Sequence, residues 1–181
     1  MKPNTKVSAL LPTNSVRMNF SWMLKKPYRI LALGFGSGLI KPGPGTWGSF
    51  IGLFIWWLLK YIALPHIAVY VITVLGFLIG LWVCKCTTKD IGEHDSGSVV
   101  WDEIVAVLIL FCILKYQSSA YDLFAVILFR VFDIWKPFPI AYFDRKLTSS
   151  FGMMFDDVLA AVYAVLAFKF IMWIKFYAFV S

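Results

Sequence analysis

Five apolar runs, with three carboxylate clusters each set beside or inside one of them, constrain this chain more than any other feature. The runs cover residues 46–64, 65–83, about 99–116, about 120–136 and about 157–177. A helix crossing the roughly 30 Å hydrocarbon core needs about 20 residues, so the fourth run is marginal as a span. Nine of the ten carboxylates, all but Asp122, fall into three groups. These are Asp90, Glu93, Asp95, Asp102 and Glu103; then Asp133 and Asp144; then Asp156 and Asp157. An acid at bilayer depth costs about 2.5–3.5 kcal/mol on insertion scales, so it is rarely kept for packing. Several together point to a bound cation, and hard divalent cations favour oxygen ligands. The expected fold is an all-α, polytopic membrane bundle of four to five apolar helices.

Composition agrees. A hydrophobic fraction of 60% over 181 residues exceeds the about 45–50% usual for soluble domains. Residues 28–181 are expected to form one membrane-embedded domain behind a basic arm at 1–27. The arm carries Lys2, Lys6, Arg17, Lys25 and Lys26, is broken by Pro3 and Pro12, and lacks the apolar core of a secretory signal. Beside membrane runs, such an arm fits anionic lipid better than nucleic acid. The odd set Cys84, Cys86 and Cys112 implies no disulfide framework.

Lysine and arginine placement predicts sidedness. With the arm in the cytoplasm, the chain returns there near Lys85–Lys89 and again at Lys136–Lys146, while Lys60, Lys115 and Lys175 fall outside. Twelve of the 17 basic residues then lie inside, counting Lys41 and leaving out Arg130. The same topology carries the Gly/Pro loop at 41–48, the acidic stretch 90–103 and the segment 130–157 to one cytoplasmic boundary.

Each motif has a structural reading beside the chemical one. Asp102 and Glu103 open the third run; an acid there favours the helix dipole by about 0.3–1 kcal/mol, but two in succession suit metal ligation better. Arg130 and Asp133 share a helix face and form either a buried ion pair or a phosphate-and-metal pair. Lys136, before Pro137, either snorkels to the interface or joins Arg130 on a phosphate, whose oxygens match a guanidinium fork. Asp156 and Asp157 repeat the acid pair before the last run. With Asp133 they complete a divalent-metal cage of the kind Mg²⁺ takes, along with waters and phosphate oxygens. Gly43-Pro44-Gly45-Thr46-Trp47-Gly48-Ser49 is no dinucleotide motif, because no βαβ unit surrounds it. As a helix entry, it offers amides and the Thr46 and Ser49 hydroxyls to an anion, or serves only as a turn. His94 beside Asp95 is a candidate acid/base pair.

Four blocks carry a resemblance: GFGSGLIKPGPGTWGS at 34–49, TKDIGEHDSGSVVWDE at 88–103, FRVFDIWKPFPIAYFDRK at 129–146 and MMFDDVLAA at 153–161. In this order and spacing they resemble the phosphatidylglycerophosphatase A family of bacterial membrane enzymes, over about residues 28–165. The resemblance implies a Mg²⁺-dependent lipid phosphatase of phospholipid biosynthesis in the inner membrane, acting on phosphatidylglycerophosphate. By position it implies roles for Asp102, Glu103, Arg130, Asp133, Lys136, Asp156 and Asp157. Small glycines are usual in the family where this chain has Val105-Ala106 and Ser149-Ser150. Two chemical routes fit: an acid drawing a proton from water, or an aspartate attacking phosphorus directly. The rival from another class is an acid-lined cation transporter, which predicts acids spread through the membrane depth rather than crowded at one boundary.

Overall fold

The computed structural model describes residues 18–92, 96–115, 118–147 and 149–180, and every element among them is helical. The helices are α1 Phe20–Leu24, α2 Pro27–Ala32, α3 Pro44–Tyr61, α4 His66–Ile91, α5 Trp101–Leu114, α6 Ser119–Trp135, α7 Ile140–Lys146 and α8 Ser150–Val180, with a 3₁₀ segment at Gly34–Leu39. Two of them, α4 and α8, are long and apolar enough to cross a membrane. That is fewer than the four to five spans expected from the runs. The 14 residues of α5 reach only about 21 Å at 1.5 Å per residue, short of a full hydrocarbon core.

The helix ends also differ from those of the apolar runs, for local reasons. Helix α4 does not stop at residue 83 but continues through Lys85 and Lys89 to a left-handed Gly92, the usual glycine helix stop. Helix α8 starts at Ser150, seven residues before the expected run, and the Ser149 hydroxyl accepts the Gly152 amide at 3.3 Å as a serine cap does. Asp156 and Asp157 therefore sit inside α8 rather than ahead of it.

Helix α5 is the hub. It packs against α3, α4, α6 and α8, and nine of its 14 residues are buried, as a helix apolar on all sides requires. Small residues set the approach of α3: a Cβ on Gly48 would come 2.7 Å from Val100 Cβ, and one on Gly52 2.9 Å from Val107 Cβ. Such spacing lets helix backbones close in. Beyond it, Trp56 stacks on Phe111 with ring centroids 4.9 Å apart. The outward faces carry large apolar side chains instead, among them Phe54, Leu78, Trp82, Ile127, Leu166 and Phe170.

Two ion clusters lock the bundle away from the main acid site. At one end, Lys26, Tyr28 and Arg29 all donate to Asp90, and Arg29 lies 3.7 Å over the Trp22 ring. Asp90 thus ties α1 and α2 to the end of α4. At the other end, fully buried Asp122 accepts from Lys60 Nζ at 2.8 Å and Trp57 Nε1 at 3.1 Å, joining α6 to α3. Removing one partner of a buried pair costs about 3–5 kcal/mol. Lys60→Met, which strands the Asp122 charge, is expected to lose about that much stability. Asp122→Asn, which keeps the Trp57 bond, is expected to lose far less; thermal unfolding in detergent compares the two, and equal losses would mean the pair is not the lock.

Candidate active site

Four elements close around a cavity of about 590 Å³. The first turn of α5 brings Asp102 and Glu103, the end of α6 brings Asp133 and Lys136, α7 brings Asp144 and Arg145, and α8 brings Asp156 and Asp157. Asp102, Glu103 and Asp157 form the tightest group: one carboxylate oxygen from each lies within 4.8 Å of the others. All three are enclosed by protein, with Asp102 and Asp157 buried outright. Glu103 Oε2 and Asp157 Oδ2 are buried with no hydrogen-bond partner. Unpartnered buried carboxylate oxygens are costly unless something cationic meets them, and three hard oxygen donors suit a divalent cation.

The cations are spoken for differently. Arg130 does not line the cavity. Its Nη1 lies 2.6 Å from Asp133 Oδ2 and 3.9 Å from Glu103 Oε1, so it stands behind two of the acids and holds them. Lys136 lines the cavity and donates to Asp144 Oδ1 at 2.7 Å and Asp156 Oδ2 at 2.6 Å. Burial works against its charge, but the two carboxylate bonds win and push the ammonium above its ordinary pKa. Lys136 ends α6 in a left-handed conformation (φ 45°). The two prolines that follow, Pro137 and Pro139, turn the chain so that α7 returns over α8 and presents Asp144.

Of the sequence-predicted residues, Asp102, Glu103, Asp133, Lys136, Asp156 and Asp157 are brought to one cavity. Asp156 reaches it as the partner of Lys136, apart from the tight acid group. The Arg130–Asp133 ion pair of the structural reading is present. Thr46 and Ser49 are not among the lining residues, and the Ser49 hydroxyl donates to its own helix at Gly45 O, 3.0 Å away. The Gly/Pro loop reaches the site through Gly45 instead. A Cβ there would overlap Glu103 Oε1 and lie 3.1 Å from Arg130 Nη2. Only glycine admits the α3 terminus this close, where its dipole favours the Glu103 carboxylate. His94 and Asp95 lie outside the described residues.

The sequence reading grouped Asp144 with Asp133 but gave it no specific role, and gave none to Arg145. The available signal was the Pro-x-Pro turn between Lys136 and Asp144, which folds eight residues of separation into a contact.

The class these features define is an all-helical apolar bundle with a carboxylate-lined cavity at one end. The chain belongs to the phosphatidylglycerophosphatase A family, whose profile matches residues 30–172. It is 51% identical to phosphatidylglycerophosphatase A of Haemophilus influenzae over 144 residues, 79% of this chain and 87% of that protein. It is 39% identical to phosphatidylglycerophosphatase A of Escherichia coli K12 over 139 residues, covering 77% and 80%. A Bacteroides thetaiotaomicron protein described as a putative phosphatidylinositol-3-phosphatase is 33% identical over 151 residues, covering 80% and 93%. No solved structure matches.

Proposed function

We propose that this protein is a Mg²⁺-dependent lipid phosphatase that hydrolyses phosphatidylglycerophosphate to phosphatidylglycerol and inorganic phosphate. The observation that carries this reading is the enclosed Asp102–Glu103–Asp157 group with its unpartnered oxygens, in a chain of this family. These three residues would hold the metal, which when bound supplies charge to the phosphoryl oxygens and acidifies water.

The chain's own residues do the rest. Lys136 spends two of its three N–H donors on Asp144 and Asp156, leaving the third for a phosphate oxygen. Arg130 is a positioning residue that fixes Asp133 and Glu103. A cavity carboxylate accepts the proton that water gives up as its oxygen attacks phosphorus. The bond from phosphorus to the headgroup oxygen breaks, that oxygen takes the proton back from the carboxylic acid to become the lipid hydroxyl, and inorganic phosphate departs.

The apolar outer faces of α3, α4, α6 and α8 support a multi-pass protein of the bacterial inner membrane. The basic bias of the arm and of the 85–89 and 136–146 segments supports a cavity facing the cytoplasm.

Purified protein in neutral detergent is expected to release phosphate from phosphatidylglycerophosphate with Mg²⁺ and to stop when chelator removes it. Release that ignores chelation would overturn the metal reading; no release at all would overturn the substrate. Phosphatidylinositol 3-phosphate, the substrate class in the Bacteroides relative's description, is the comparison substrate. A single cysteine at position 92 in a cysteine-free variant should label only once the inner face is opened.

A further inference from the structure

We infer that Arg145 binds the internal phosphodiester of the lipid substrate and so selects headgroups that carry two phosphates. This rests on the phosphatase reading above, because it assigns the second half of the same substrate. Among the described residues, both other cations near the acid site have carboxylate partners, Arg130 with Asp133 and Lys136 with Asp144 and Asp156. No carboxylate among the described residues lies within ion-pair distance of Arg145. Its Nε donates to the Ala141 carbonyl, 3.1 Å away on the preceding turn of α7. That bond fixes the base of the side chain and leaves the terminal Nη groups as a two-pronged donor, the geometry that suits phosphate.

Arg145 lines the acid cavity, and it also lines a second groove of about 610 Å³ formed with Phe138, Ala141, Tyr142 and Lys146. It is the residue the two spaces share. One side is the polar cavity with its acids and Lys136; the other is flanked by Phe138, 82% exposed, and the half-exposed Tyr142. Lys146 sits against the Tyr142 ring and donates to its hydroxyl at 2.9 Å. Aromatic rings with a basic rim are what a membrane interface favours. A phospholipid whose terminal monoester enters the cavity and whose glycerol and acyl chains lie along the groove would place its diester at this boundary. A diester anion there meets a guanidinium that no acid of the described protein neutralises. A lipid monoester without the diester would leave Arg145 unmet.

The test separates the two phosphates with soluble probes. The wild-type and Arg145→Ala proteins are assayed with phosphatidylglycerophosphate in neutral detergent, with glycerophosphoglycerol and inorganic phosphate as competitive inhibitors. Glycerophosphoglycerol carries only the diester, and inorganic phosphate only the terminal group. Loss of one charge-assisted contact is expected to raise KM and the glycerophosphoglycerol inhibition constant about tenfold or more. The phosphate inhibition constant should move less than about twofold, and Arg145→Lys should recover part of the loss, since it restores charge without the fork. Equal shifts for both inhibitors, no shift for either, or a fall in kcat at constant KM would each overturn the assignment. A neutral micelle also excludes a general attraction to anionic lipid as the cause of a shift. If the wild type releases phosphate normally and only these comparisons fail, the diester site alone falls. If the wild type is inactive on the lipid, the parent reading falls.

Discussion

Asp157→Asn is expected to abolish phosphate release and, in the absence of metal, to make the protein more stable rather than less. Asp102→Asn should behave the same way. The two effects share one cause. Three carboxylate oxygens within 4.8 Å, on side chains enclosed by protein, repel one another by about 3.5 kcal/mol or more per charged pair at an effective dielectric near 20. Amide replacement removes one of those charges without changing the shape. It also removes a metal ligand, and the several kcal/mol of charge stabilisation that a bound divalent ion supplies corresponds to a rate loss of at least about 10²-fold. The melting temperature gives a signature that a simple packing role would not produce. Wild-type protein should gain about 2–3 kcal/mol as Mg²⁺ reaches roughly 100 times its dissociation constant, whereas Asp157→Asn should gain almost none. Asp133→Asn should also lose turnover, because that side chain lines the same cavity and is the partner of Arg130. If all three variants released phosphate at near-normal rates, the carboxylate site would not be the reaction site.

The acids were legible in the sequence because bilayer-depth runs make every carboxylate conspicuous, and the pairs Asp102-Glu103 and Asp156-Asp157 stand beside such runs. Their division of labour was not. Adjacent acids on a helix point about 100° apart, and sequence gives no rotation to say which of them meet at a common centre. In the structure Asp157 joins Asp102 and Glu103, while Asp156 turns to Lys136. The cluster from Asp90 to Glu103 looked like one unit in sequence, yet Asp90 serves Lys26, Tyr28 and Arg29 instead. Helix ends were the other weak point. Polar residues such as Lys85, Thr87 and Thr88 ended an apolar run, but Thr88 returns its hydroxyl to Cys84 O at 2.9 Å and the helix continues. Asp122 stood alone in sequence and drew no role; its partners Lys60 and Trp57 are more than 60 residues away. A contact that distant, with no matching acid nearby, leaves no periodic trace. Gly45 was read as part of a turn, whereas its lack of a side chain is what lets α3 meet Glu103.

Arg130→Met is expected to cost about 3–5 kcal/mol of stability together with most of the activity, because it strands Glu103 and Asp133 at an enclosed site. The side chains involved are only 13–16% exposed, so water cannot take over the role of the guanidinium. Arg130→Lys is the sharper experiment. Lysine keeps the charge and can still reach one carboxylate, but it has no planar fork with which to hold Asp133 at 2.6 Å and face Glu103 at 3.9 Å together. Glu103 belongs to the tight acid group, so loosening it should appear first in the metal. The Mg²⁺ concentration for half-maximal rate should rise about tenfold, as removal of a residue that orients a metal ligand typically costs 10- to 100-fold in affinity. KM for the lipid at saturating Mg²⁺ should move much less. A direct phosphate clamp, the role the Arg130–Lys136 spacing first suggested, predicts the reverse pattern: unchanged Mg²⁺ dependence with a large fall in turnover or rise in KM. The structure favours positioning because Arg130 stands behind the acids while Lys136 lines the cavity. Mg²⁺ titrations of phosphate release on Arg130→Lys, run alongside Lys136→Met, decide between the two. Lys136→Met should reduce kcat and leave the Mg²⁺ midpoint near that of the wild type. If the two variants exchanged these signatures, Arg130 would be the phosphate ligand and Lys136 the structural partner of Asp144 and Asp156.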